Sequence, residues 1–203
     1  AQFGGVNIVL AVTATVLFVL GMALFFALAG WLATRGGDSK RASWLLLGLP
    51  AIWVLVEWLR GWLLTGFPWL SLGYGQIDWP LAGYAPLGGI YAVSLAVALS
   101  AALLNLWPRV PAALALFALW GGGQLLHTVA WSHPVAEPIR VSLMKGNIAQ
   151  ERKWLPAMRG PTLDLYRGMT AEVPDSQIVV WPETAVPAIH TAVEATLLQP
   201  LHA

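Results

Sequence analysis

Apolar positions run through the first 130 residues in blocks too long for the core of a water-soluble domain. Val6 to Leu32 contains no charged side chain. As a helix rising 1.5 Å per residue it would be about 40 Å long, enough to cross a hydrocarbon core about 30 Å thick with some tilt. The apolar stretch of a secretory leader is far shorter, at about 7–15 residues. Similar blocks predict three further spans, at 44–59, 83–107 and 111–131, with Trp44, Trp107 and Trp131 at proposed ends, where amphipathic rings favour the membrane interface. Beyond Glu137 the pattern changes. Ile139-Arg-Val-Ser-Leu143 alternates like a strand, Pro161 to Glu172 reads as a helix burying Leu163, Leu165, Tyr166 and Met169, and Gln177-Ile-Val-Val-Trp181 reads as a second, buried strand ended by Pro182. The chain is therefore expected to be an α-helical transmembrane bundle over 1–136, followed over 137–203 by the start of an α/β domain.

Composition sharpens that division. The 203 residues are 58% hydrophobic and only 10% charged, against about 25% charged in an ordinary soluble domain. Eight of the charged residues fall in the first 136 positions and 13 in the last 67, so only the second part has the polarity of a water-soluble domain. A net charge of +1 excludes a basic nucleic-acid surface, and the high apolar content excludes disorder. Cysteine is absent, which removes disulfides, Cys-ligated zinc and any thiol nucleophile from these residues. No metal or cofactor site is expected.

Lys and Arg set an orientation. Arg35, Lys40 and Arg41 lie between the first two blocks and Arg109 between the last two. The positive-inside rule puts both connections in the cytoplasm, with Arg60 a minor dissent. The 60–80 connection and everything after Trp131 then face outward, which in a bacterium is the periplasm. The chain is expected to be an internal piece of a longer protein.

The outward connection is unusual. Glu57 to Pro80 holds four Trp, four Gly and two Pro in 24 residues, poor material for a straight helix. An interfacial or re-entrant segment is expected. On one account it is an aromatic belt with Glu57 and Arg60 snorkelling at the headgroups. On the other it is a lipid-facing floor, with Glu57, Arg60 and rings such as Trp69 shaping acyl-chain and headgroup contacts. His127 in the fourth block predicts a helix–helix hydrogen bond, and Gly121-Gly-Gly123 close helix packing or a kink.

Glu183 directly follows the second predicted strand, in Trp181-Pro-Glu-Thr-Ala-Val-Pro187. The carboxyl ends of strands are where α/β proteins place chemistry, and a carboxylate held there suits a general base. Position alone does not overturn the plainer reading of a solvated turn residue.

Three segments occur in order: Glu57-Trp-Leu-Arg-Gly-Trp-Leu-Leu-Thr-Gly-Phe-Pro-Trp-Leu-Ser-Leu-Gly-Tyr-Gly-Gln76, Val141-Ser-Leu-Met-Lys-Gly-Asn-Ile-Ala-Gln150 with Lys153-Trp154, and Val180-Trp-Pro-Glu-Thr-Ala-Val-Pro187. Together they resemble the apolipoprotein N-acyltransferase family, from Phe3 to the end of the chain. The resemblance implies a membrane-helix bundle joined to a periplasmic nitrilase-like αββα sandwich, here cut short, in the bacterial inner membrane. It implies acyl transfer from a glycerophospholipid to the α-amino group of an apolipoprotein's diacylglyceryl-cysteine through a thioester on a Glu–Lys–Cys triad. Glu183 matches the family's base, and Trp154 a family tryptophan on a loop near the site entrance, expected either to gate lipid access or merely to pack. The family's Lys and Cys have no counterpart here, so the piece alone is expected to be inactive. Lys145 stands where the family commonly has Gln and is not assigned to the triad. The implied partners are membrane phospholipid and an apolipoprotein N-terminus, with the protein itself a monomer. Two rival readings remain: a membrane-tethered nitrilase-like amidase, disfavoured by the apolar outward segment, and a non-catalytic scaffold or transporter, disfavoured by spans without charge.

Overall fold

In the computed structural model, residues 6–36, 42–106, 108–183 and 185–186 are described. The cationic part of the first connection (Lys40, Arg41), Trp107, and Thr184 and Pro187 of the third motif lie outside them. The chain divides into two compact units, Ile8–His133 and Pro134–Ala203 with Ala1–Asn7.

Among the described residues, the first unit contains four helices long and apolar enough to cross a membrane, spanning Ile8–Arg35, Trp44–Thr65, Pro80–Asn105 and Val110–His127. Helix α1 (Ile8–Arg35) buries little beyond Ala29 and leaves its apolar side chains outward. That pattern suits a helix bathed in acyl chains. Helix α2 (Leu49–Trp62) is entered through a wide π-turn at Trp44–Gly48. Pro50 lies in the first turn of α2 and has no N–H for the carbonyl four residues earlier, a local cause for the widened turn.

Helix α3 (Ala85–Asn105) is broken at Gly88–Gly89, where Gly89 takes φ 61°, ψ −153°, a conformation open essentially to glycine alone. It packs on α4 (Val110–His127) around Leu81, Val93 and Ala96, with Tyr84, Leu119 and Trp120 alongside. Polar ties reinforce the contact: Tyr84 Oη donates to the Leu119 carbonyl at 2.7 Å, and Trp120 Nε1 to Ser100 Oγ at 3.0 Å. The Gly121-Gly-Gly123 run does serve close packing. A methyl at Gly123 would run into the Pro80 carbonyl, one at Gly83 into the Gly123 carbonyl, and one at Gly121 into nothing. His127 approaches the Trp79 carbonyl at 3.3 Å. Its contact is thus with the turn before α3 rather than with a facing helix.

Among the described residues, the second unit holds two short parallel strands, β1 (Val141–Leu143) and β2 (Ile178–Val180), paired Val141↔Ile178 to Leu143↔Val180. Between them run a single helical turn, α5 (Gln150–Lys153), and α6 (Arg159–Ala171). Tyr166 of α6 is buried with Met144 and Ala185. Its ring stacks on Trp181 at 5.2 Å, and Trp181 Nε1 donates to Thr170 Oγ1 at 3.0 Å. The other face of the strand pair, with Val141, Leu143, Ile178 and Val180, is exposed.

Candidate functional site

In the first unit the chemistry gathers at the end of α2. Pro50, Trp53, Glu57 and Arg60 recur at helical spacing and form one stripe. Glu57 and Arg60 are only 5% and 3% exposed. They do not snorkel as the aromatic-belt reading expects; both turn inward. The reason is the return of the chain over them. Glu57 Oε1 accepts from Trp53 Nε1 and from the backbone N–H of Leu72, each at 2.8 Å. Arg60 Nη2 donates to Ser71 Oγ at 3.4 Å, Ser71 Oγ donates to the Pro68 carbonyl at 3.3 Å, and the Arg60 carbonyl accepts from Phe67 N at 2.8 Å. Glu57 Oε2 and Arg60 Nε are buried without a hydrogen-bond partner. A small void of about 10 Å³ beside them is bounded by Phe25, Phe26, Ala29, Trp53 and Val56.

This clamp shapes the segment beyond it. Leu64, Thr65 and Leu70 all have positive φ, at 52°, 76° and 65°. For such side chains that conformation costs energy and persists only where the surroundings dictate it. The fold that results leaves Trp69 61% exposed. Its ring lies 5.0 Å from Phe67, which packs edge-on against Phe18 of α1 at 5.3 Å. Sequence reasoning missed Ser94, fully buried on α3, whose Oγ accepts the Gly73 N–H at 3.0 Å. A serine in an apolar span signals such a role only weakly.

In the second unit Glu183 is exposed on the turn that follows β2. Pro182 precedes it, and the Ala185 N–H donates to the Pro182 carbonyl at 3.0 Å, with Ala185 buried among Met144 and Tyr166. Lys153 Nζ donates to the Glu183 carbonyl at 2.9 Å. The next residue, Trp154, is 60% exposed. The second unit therefore brings the Trp154 segment and the Glu183 turn together. Lys145 is exposed on the loop after β1.

Among the described residues, four helices long and apolar enough to cross a membrane, one of them burying Glu57 and Arg60 beneath the returning aromatic segment, mark a membrane protein. The chain belongs to the apolipoprotein N-acyltransferase family: the family's N-terminal domain matches residues 1–103. It is similar to the apolipoprotein N-acyltransferase of Methylococcus capsulatus, 42% identical over 208 aligned residues that take in 100% of this chain and 41% of the relative. The enzyme of the same name from Pseudomonas syringae pv. tomato is 42% identical over 96% of this chain and 40% of its own length. That of Azotobacter vinelandii is 42% identical over 93% and 38%. The chain thus spans about two fifths of the length of these curated relatives.

Proposed function

We propose that the full-length protein is a bacterial inner-membrane N-acyltransferase. It moves an acyl chain from a glycerophospholipid to the α-amino group of an apolipoprotein's N-terminal diacylglyceryl-cysteine. The four spans would lie in the inner membrane, with the β–α–β unit the beginning of a periplasmic nitrilase-like domain. The observation that carries the reading is 42% identity to named apolipoprotein N-acyltransferases across the whole chain, including the turn that bears Glu183.

The reaction divides into two displacements. A thiolate attacks the ester carbonyl carbon of the phospholipid, the carbon–oxygen bond to glycerol breaks, and the departing alkoxide takes a proton to leave as lysophospholipid. The α-amine of the lipoprotein then attacks the thioester, the carbon–sulfur bond breaks, an amide forms, and the thiolate returns as the amine proton passes to the base. Glu183 takes the thiol proton in the first step and delivers it to the leaving alkoxide. These 203 residues contain no cysteine, so the nucleophile belongs to sequence outside them. In the first unit, the clamped segment of Phe67 and Trp69 offers an apolar, uncharged surface for the acyl donor.

The test is Glu183→Gln in the full-length protein, with the thioester trapped by mass spectrometry across a pH series. A free thiol has a pKa near 8.5, and general-base assistance is worth about 10²–10⁴-fold. The variant should insert and fold, yet lose acyl-enzyme formation at neutral pH, and the defect should shrink as the thiol ionises unaided. Normal acylation throughout the series would reduce Glu183 to a turn residue.

A further inference from the structure

We propose that Lys153 is a positioning residue that couples the Trp154 segment to Glu183, an inference that rests on Glu183 being the base. The contact is an ammonium on the last residue of α5 donating to the main-chain carbonyl of Glu183 at 2.9 Å. A carbonyl held this way fixes the peptide plane that follows Glu183, and with it the ψ angle that aims the Glu183 side chain. The remaining constraints on that turn come from elsewhere. Pro182 restricts φ just before it, and the Ala185 N–H closes the turn on the Pro182 carbonyl while its methyl is buried under Tyr166 and Met144. Lys153 thus adds a tether to this turn from the α5 side.

The sequence makes this tether a coupling. Lys153 is followed directly by Trp154, whose ring is largely exposed. Leu155 bonds back to the Arg152 carbonyl at 3.1 Å, so residues 152–155 form one closed turn. A ligand that engages the Trp154 ring and shifts this turn also shifts the ammonium that holds the Glu183 backbone. The consequence is that an apolar acyl donor arriving at Trp154 alters the aim of the base. Misplacing a reacting group by about 1 Å can cost on the order of 10²-fold in rate. The contact is exposed, so a smaller loss is expected on removing it.

The experiment measures single-turnover acyl-enzyme formation by the full-length protein, with vesicles of phosphatidylethanolamine and phosphatidylglycerol as the acyl donor. The variants are Lys153→Met, Lys153→Arg and Glu183→Gln. Lys153→Met should lower the limiting rate about tenfold with little change in half-saturating lipid. Lys153→Arg, which keeps a cationic donor, should recover most of the rate. The Lys153→Met defect should also shrink towards high pH, in step with that of Glu183→Gln. A normal Lys153→Met rate beside an inactive Glu183→Gln protein sinks the coupling and leaves the base in place. A normal Glu183→Gln rate removes the base itself. Lys153→Met and Lys153→Arg proteins that are equally inactive and equally easy to unfold would make the lysine a structural residue, which also overturns the proposal.

Discussion

Glu57 reaches across 15 residues to the backbone of Leu72. One of its carboxylate oxygens, Oε1, holds the Leu72 N–H and the Trp53 indole, both at 2.8 Å. Removing that oxygen leaves two donors without an acceptor in a buried place, where an unmet hydrogen bond costs about 1–3 kcal/mol. Glu57→Ala is therefore expected to lose about 2–3 kcal/mol of stability, whereas Glu57→Gln, which keeps a carbonyl oxygen, loses under about 1 kcal/mol. Thermal unfolding of the full-length protein in one fixed detergent measures both. Proteolysis within 63–71 should rise for Glu57→Ala alone.

Phe67 and Trp69 separate packing from contact with substrate. Phe67 is half-buried and touches two rings, Phe18 and Trp69, so Phe67→Ala should lower the melting temperature clearly. Trp69 is mostly exposed, and Trp69→Ala should leave the melting temperature nearly unchanged while weakening phospholipid use. Unaltered acyl-enzyme formation with a lower melting temperature would return Trp69 to a packing role.

The glycine run on α4 yields a graded series. Gly121 has open space around it, a methyl at Gly122 would sit 2.8 Å from the Tyr84 hydroxyl, and one at Gly123 would run into the backbone of Pro80. Gly121→Ala should be neutral or stabilising, since alanine is favoured over glycine in a helix by about 1 kcal/mol. Gly123→Ala should be the most damaging, because backbone cannot move aside as a side chain can. Gly122→Ala should fall between, because the new methyl displaces the Tyr84 hydroxyl from the Leu119 carbonyl. Melting temperatures of the three proteins, compared at one detergent concentration, provide the order.

Orientation is tested by labelling. In spheroplasts producing the cysteine-free 203-residue chain, Asp164→Cys on the exposed face of α6 should react with a membrane-impermeant thiol reagent. Ser39→Cys in the cationic connection should react only after lysis. The reverse pattern would overturn the periplasmic reading and the acyl-transfer proposal with it.

The helices of the first unit were readable because lipid demands about 20 apolar residues in a row, a local property that needs no knowledge of neighbours. The strands were readable from β-branched alternation, although β1 begins at Val141 rather than Ile139. The inward turn of Glu57 and Arg60 was not, since periodicity names the face of a helix that packs but not what covers it. Here the cover is the chain's own return through Ser71 and Leu72, a contact made over 11 to 15 residues of an irregular segment. The break at Gly88–Gly89 escaped notice for a related reason: glycine permits that backbone but does not require it. Glu183 was visible as a residue, while its tether to Lys153 was not, because that contact closes over 30 residues.

Leu64 and Leu70 carry a consequence for handling the protein. Both adopt a backbone that glycine would occupy without strain, and both are largely exposed, Leu64 by 89%. A leucine kept in such a conformation gains nothing from water, whereas immersion of an isobutyl group in hydrocarbon is worth roughly 1.5–3 kcal/mol. The surrounding medium thus becomes a component of the local fold. Detergents whose apolar belt is too thin to cover this turn should relax it, and activity lost on extraction should return when the protein is transferred to a bilayer of native thickness.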